Sequence, residues 1–364
     1  MTMPAPGLAF TNFTYTTGHP ARVVFGTGTL NTVRAEVERL GICRALVLTT
    51  PAQTTHGRAV IDLLGDRAAG LFDGATMHTP VEVTRAALDV ARELAADGLV
   101  AIGGGSTTGL GKAIAVRTGL PQVVIPTTYA GSEMTPILGE TEAGQKTTRS
   151  SPDILPETVI YDVELTLELP VALSGTSGIN AIAHAVEALY ARDANPVTSL
   201  IAEQAIAALA RALPVIAVDP GDRTARSRAL YGAWLSGMCL GGVGMALHHK
   251  LCHVLGGAFG LPHAETHTVV LPYAVAYNAA AAPEAIARVA AALQLPTDDA
   301  ASGLYDLAGA VGAARSLAAI GMPADGLDRA ADLAVANPYW NPRPLDRAAI
   351  RDLLQRAFTG ARPA

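Results

Sequence analysis

Between His248 and His267 the chain reads HHKLCHVLGGAFGLPHAETH, and five of its nine histidines fall in those twenty residues. Imidazole changes charge near neutral pH and is a common metal ligand, so a cluster of this kind suits proton transfer or metal binding. His249 and His253 are four residues apart, which places both on one face of a helix. The stretch from Leu255 to Pro262 is rich in Gly and ends on Pro, and it is expected to break that helix. Beyond the break the chain presents His263, with His267 four further on. Earlier, Asn180 and His184 share the same four-residue spacing in another helical run. A lone histidine is usually a hydrogen-bonded core residue. Several grouped around a helix break form a candidate site.

A second constellation suits phosphate. The apolar run Leu99 to Ile102 ends in Gly103-Gly104-Gly105-Ser106, with a helix-compatible segment from Leu110 to Val116. Gly104 and Gly105 allow close approach of backbone to a ligand. Free N–H groups at the start of the next helix attract an anion, and Ser106 adds a hydroxyl. The glycines lack the spaced GxGxxG pattern. Pro126 to Glu133, with Thr127 and Thr128, follows the next apolar run. Adjacent parallel strands bind ligands at their carboxyl ends, so the two loops together suit a dinucleotide pyrophosphate. Such a sheet usually carries an acid after its second strand to hold a ribose hydroxyl. Here that place reads Thr49-Thr50-Pro51. With Thr50 in the acid's place, a loose preference between NADH and NADPH is expected.

The elements that would position these residues fall into two regimes. Apolar runs at 22–25, 45–49, 70–72, 99–102 and 122–126 alternate with helical patterns at 30–40, 56–64 and 81–97. Strand, helix, strand, helix predicts a Rossmann-like parallel α/β domain. From about Leu165 the chain becomes a succession of Ala- and Leu-rich helical stretches: 178–190, 198–212, 224–238, 245–255, 283–292, 303–314, 327–336 and 346–357. The expected division is an α/β nucleotide-binding domain over residues 1–160 and an all-helical domain over 161–364. The Pro-rich patch Asn337 to Pro344 is expected to be a loop before the last helix.

Composition narrows the partners. The length of 364 residues suits two domains. Half the residues are hydrophobic, but no unbroken apolar run reaches the roughly 18 residues of a membrane span. The first fifteen residues lack the pattern of a signal peptide, so a cytoplasmic location is expected. A net charge of −6 without a basic tract argues against nucleic acid or an anionic membrane as partner. Three cysteines with no CxxC pair argue against a disulfide framework. Cys252, beside His253, reads as a small buried residue rather than a nucleophile.

Taken together, Gly103 to Ser106, the Pro126-Thr127-Thr128 loop, Lys146 ahead of Ser151-Pro152, Asn180-x3-His184, His249-x3-His253 and Pro262-His263 resemble the iron-containing (group III) alcohol dehydrogenase superfamily. The resemblance runs from about residue 10 to the C-terminus. It implies the dehydroquinate synthase-like architecture of that superfamily. The departures point to one branch. The superfamily's metal site uses an Asp and three His; here Asn180 stands for the Asp, while His184, His249 and His263 are kept. Gly109 replaces the Asp of the usual GGGSxxD continuation. These features, with the run Tyr129 to Thr135, are similar to the maleylacetate reductases. Those enzymes reduce maleylacetate to 3-oxoadipate with NADH or NADPH in bacterial breakdown of aromatic compounds. As a rule they lack a bound metal, and related members are homodimers.

The resemblance implies a small dicarboxylate substrate and specific roles. His253 and His249 would polarise the ketone and deliver a proton, and His184 and His263 would complete a positive pocket. Asn180 would orient a histidine or bind a carboxylate, for which Lys250 is a candidate cation. Lys146 would lie near the nicotinamide ribose, with Gly104, Gly105, Ser106, Thr127, Thr128 and Thr50 about the cofactor. Asn for Asp weakens a divalent site without abolishing it, since three histidines can still hold zinc. The rival readings are a metal-dependent alcohol dehydrogenase of the same superfamily, a dehydroquinate-synthase-like lyase and a non-catalytic dinucleotide-binding protein.

Overall fold

The computed structural model describes residues 22–142 and 145–363, and of Gln145 and Lys146 only the backbone. The segment read for a signal peptide lies outside these residues. Two compact units divide between Leu169 and Pro170.

The first unit runs β1 (Arg22–Gly26), α1 (Val33–Arg39), β2 (Ala45–Leu48), α2 (Thr54–Leu64), β3 (Ala68–Phe72), α3 (Val81–Glu93), β4 (Gly98–Gly103), α4 (Gly105–Thr118) and β5 (Gln122–Pro126). It continues with β6 (Ile137–Glu142), β7 (Gln145–Ser150) and β8 (Thr158–Asp162). Six strands form one parallel sheet in the order β1-β8-β5-β4-β2-β3. The four inner strands are buried on both faces, which explains their unbroken apolar runs. Alternate residues sort to the two faces. Ala45, Val47, Val100, Ile102, Val123 and Ile125 pack with Val33 and Val37 of α1 and Val60 and Leu64 of α2. Leu46, Leu48, Leu99, Ala101 and Val124 pack with Leu88 of α3 and Leu110 and Ile114 of α4.

The sequence reading lacked β8 and the antiparallel β6–β7 hairpin. A domain boundary between residues 160 and 161 would cut β8, which lies between β1 and β5 in the sheet. Its terminal Asp162 also accepts hydrogen bonds from the backbone N–H groups of Gly28 and Leu30, fastening the turn after β1. Lys146 lies in β7, and its side chain is outside the described part.

The second unit holds α5 (Val171–Leu189), α6 (Pro196–Val218), α7 (Arg223–Gly242), α8 (Leu247–Phe259), α9 (His263–Asn278), α10 (Pro283–Ala292), α11 (Ala300–Ala310), α12 (Leu327–Ala336) and α13 (Arg347–Thr359). Helix α5 is buried along nearly its whole length and packs on α6, α7 and α9. Helix α6 is long and apolar enough to cross a membrane, but its Ala205, Ile206, Leu209 and Leu213 are buried within the unit, where it packs on α5 and α7. Helix α8 does not break at Leu255; it runs through Gly256 and Gly257 and stops at Gly260, in the left-handed conformation at φ 66°. Each helical glycine costs about 1 kcal/mol. Packing of Leu251 and Leu255 among α9, α12 and α13 offsets that cost.

Candidate active site

In the first unit the loops after β2, β4 and β5 lie at the carboxyl ends of neighbouring strands, where the strand order reverses. Gly103 sits at φ 152°, and a Cβ there would fall 2.4 Å from Thr107 Oγ1. Gly104 is the N-cap of α4 and Gly105 its first residue, so the helix's free N–H groups open on this loop. A Cβ on Gly104 would meet the Thr128 methyl at 3.0 Å, which ties the two loops together. Gly105 is exposed and Ser106 half-buried, as a ligand-facing turn requires. Gln53, which sequence reasoning missed, donates to Thr127 Oγ1 at 2.9 Å and lies 3.4 Å from Thr50 Oγ1. It joins the loop after β2 to the loop after β5. Lys112, fully buried in α4, donates to the carbonyls of Thr135 and Ile137, and burial pulls its amine down to about 7. It pins the segment that follows the threonine loop. Gly109 faces Thr79, whose Oγ1 would lie 2.4 Å from an added Cβ.

In the second unit six histidines gather from three helices: His184 of α5, His248, His249 and His253 of α8, and His263 and His267 of α9. The His184 and His249 rings stack with centroids 5.0 Å apart. His249 and His267 are also 5.0 Å apart, and His263 and His267 4.4 Å. His253 lies 6.3 Å from His249 on the same face of α8, as the four-residue spacing predicts. His253 and His263 are exposed, whereas the other four are buried. Asn180, one turn before His184, is 4% exposed. Lys250 is half-buried, with its amine 5.6 Å from the centre of the Tyr339 ring.

The cluster leaves buried polar atoms turned inward. Asn180 Oδ1, His184 Nδ1, His248 Nδ1, His249 Nε2 and His267 Nε2 have no hydrogen-bond partner among the described residues. Buried polar groups are nearly always paired, so five in one place mark a site that meets something polar. Desolvation holds His184, His248 and His267 well below the ordinary imidazole range, and the neighbouring histidines push the same way. Both effects favour the neutral ring. Burial thus works against the positive pocket expected of His184, which stacks on His249. Cys252 is buried, and burial raises its thiol well above the usual value, which favours the reading as a small buried residue over a nucleophile.

Two partners escaped the sequence reading. Glu187 of α5 is fully buried and places Oε2 2.7 Å from His249 Nδ1. Its signal was present, since 180, 184 and 187 share one helical face. Tyr339 places its hydroxyl 3.0 Å from His253 Nδ1. It comes from the Pro-rich loop, where no spacing announces it.

The two halves of the chain match the models for iron-containing alcohol dehydrogenases, over residues 20–163 and, for the C-terminal part, 174–358. The chain is 60% identical over 351 residues to the maleylacetate reductase of Rhizobium sp. strain MTP-10005, covering 96% of this chain and 99% of that one. The chain belongs to the maleylacetate reductase branch of the iron-containing alcohol dehydrogenase family. A maleylacetate reductase from Burkholderia cepacia is 57% identical over 343 residues, 94% of this chain and 97% of that one. The crystal structure of the Rhizobium maleylacetate reductase superposes with a TM-score of 0.93 at 59% identity, covering 97% of this chain and all of that one.

The family name implies iron, and the donors here fit a divalent ion poorly. Asn180 offers a neutral oxygen where the superfamily has a carboxylate. Glu187 is already engaged by two backbone N–H donors and by the His249 ring. Among the described residues, the His, Cys or acidic ligand atoms that converge within 4.8 Å belong to His248, Cys252 and His267, not to the trio His184, His249 and His263.

Proposed function

We propose that this chain reduces the carbon–carbon double bond of maleylacetate, using NADH or NADPH and no bound metal. The observation that carries this reading is a histidine cluster with Asn180 in the acidic ligand's place, in a chain 60% identical to a maleylacetate reductase. The glycine and threonine loops suit the dinucleotide, with Gly104, Gly105 and Ser106 toward the pyrophosphate and Thr50 toward the ribose.

Maleylacetate is a dianion whose alkene is conjugated to a ketone. NADH or NADPH, when bound, would supply a hydride to the alkene carbon β to the ketone. The π electrons move to the ketone oxygen as an enolate, and a proton then joins the carbon beside the ketone. The products are 3-oxoadipate and NAD(P)⁺. A fixed donor at the developing oxyanion contributes about 3–4 kcal/mol in such sites. His249, whose Nε2 is buried and unpaired among the described residues, is suited to that role when it carries a proton there. His253 is exposed, so solvent can resupply a proton that it delivers to carbon. Lys250 and Asn180 are suited to the substrate carboxylates. The buried His184 ring excludes water, and burial favours its neutral form.

A cytoplasmic location follows from use of NAD(P)H, and the family resemblance supports a homodimer, which sedimentation would show. The decisive experiment follows NADH absorbance with freshly prepared maleylacetate, with and without EDTA pretreatment. Fast turnover insensitive to EDTA is expected. Turnover lost to EDTA and restored by Fe²⁺ or Zn²⁺ would overturn the metal-free reading. Absence of turnover would overturn the substrate.

A further inference from the structure

Helix α8 begins at Leu247 after Ala246, a residue with no side-chain cap to offer. Its first N–H groups are nonetheless met. Glu187 reaches across from α5, accepting from Ala246 N through Oε2 and from His248 N through Oε1, each at 2.7 Å. A negative group there also suits the positive end of the helix. A cap needs nothing more. Yet the same Oε2 makes a third contact, with Nδ1 of His249, at 2.7 Å.

Both Glu187 oxygens already accept a backbone N–H, which leaves the donor's part in the third contact to His249 Nδ1. The remaining ring nitrogen, Nε2, is buried and has no partner among the described residues. Glu187 is fully buried, so water does not compete for its oxygens. The start of the helix and the imidazole thus share one anchor, which fixes the ring's tilt and its tautomer together. His184 stacks on the same ring at an interplanar angle of 28°.

We propose that Glu187 is the positioning residue of the reaction: by holding Nδ1 of His249 it fixes the ring so that Nε2 is the atom turned to the substrate's carbonyl oxygen, to which it donates when the ring carries its second proton. The role assigned to Nε2 rests on the maleylacetate reading, whereas the tautomer does not.

The test therefore has two readouts. Histidine-selective ¹⁵N labelling of the native enzyme, with His249 assigned by its loss in His249→Gln, reads the ring protons without any substrate. A proton on Nδ1, alone or with a second on Nε2, is expected; a neutral ring protonated only on Nε2 overturns the proposal. Kinetics of Glu187→Gln come second. A fall in kcat of about 10–100-fold is expected, the usual range for losing a partner of this kind, with KM for maleylacetate within about threefold and NADH affinity unchanged. Glu187→Asp should recover part of the loss. A lowered melting temperature with unaltered kcat below it would mean that Glu187 is a cap only, and would overturn the proposal. Should the Gln variant fail to fold, the labelled native enzyme still decides. Should maleylacetate prove not to be the substrate, the ring protons separate that failure from this one.

Discussion

The Tyr339 hydroxyl stands 3.0 Å from Nδ1 of His253, so the two histidines on one face of α8 are both tethered through Nδ1. Their tethers differ. A carboxylate holds His249 in one tautomer, whereas a phenol can give to His253 or receive from it. Burial, then the charge of Glu187, raises the Tyr339 phenol, which keeps its proton. The hydroxyl can therefore serve His253 both before and after it surrenders a proton. His253→Ala is expected to lower kcat by about 10²–10⁴-fold, the usual worth of a general acid. Tyr339→Phe should lower it by up to about 10-fold, one hydrogen bond's worth. Steady-state NADH oxidation checks both, and an undiminished kcat in His253→Ala would remove it as proton donor.

Restoring the acid should restore a metal. Asn180→Asp places a carboxylate one helical turn from His184 and is expected to bind Zn²⁺ at least about 10-fold tighter than the parent. Metal content per chain after dialysis against equal Zn²⁺ measures this directly. Equal content in the two proteins would show that Asn180 does not govern metal affinity.

Acid should loosen the fold through the buried histidines. His184, His248 and His267 are held below their ordinary value, mainly by desolvation, so the native state keeps them neutral. The unfolded chain protonates them below about pH 6.5 and then binds more protons than the native state. Their contribution is full above that value and is lost as pH falls, at up to about 1.4 kcal/mol per pH unit for each. Urea midpoints at pH 7.5 and 5.5 should show the loss. A midpoint unchanged or higher at pH 5.5 would contradict neutral histidines.

Gly103→Ala should damage the cofactor loop. The backbone at φ 152° disfavours a side chain, and the added Cβ would meet Thr107 Oγ1 at 2.4 Å. Strain of about 1–3 kcal/mol is expected. Weaker NADH binding by fluorescence titration is the sensitive readout.

Thr50→Asp should sharpen the cofactor choice. An acid after the second strand favours a ribose hydroxyl and repels a 2′-phosphate. The ratio of kcat/KM for NADH over NADPH is expected to rise about 10-fold or more. An unchanged ratio would place the ribose elsewhere.

The parallel sheet was legible because inner strands carry compact apolar runs, and the glycine loop because Gly triplets at strand ends have few other uses. β8 is as β-branched as its neighbours, with Thr158, Val159 and Ile160, but it follows a hairpin instead of a helix and so fell outside the alternating pattern. Helix α9 was hidden for another reason. It is buried on nearly every side and carries Pro272, so no amphipathic face betrays it. In the cluster, spacing exposed the residues that share a helix face with a recognised histidine. It could not expose Tyr339, which only the folded loop delivers, nor the bias of His184 toward its neutral form, which is a property of burial.

The contact between Glu187 and His249 joins residues 62 apart in the chain. Neither end forms its part of the pocket alone, because the ring, its anchor and the stacked His184 come from helices that must first dock. Long-range contacts of this kind close after local helix formation. During refolding, turnover should therefore return after the helical signal does, and the lag between the two would time the docking of α5 against α8.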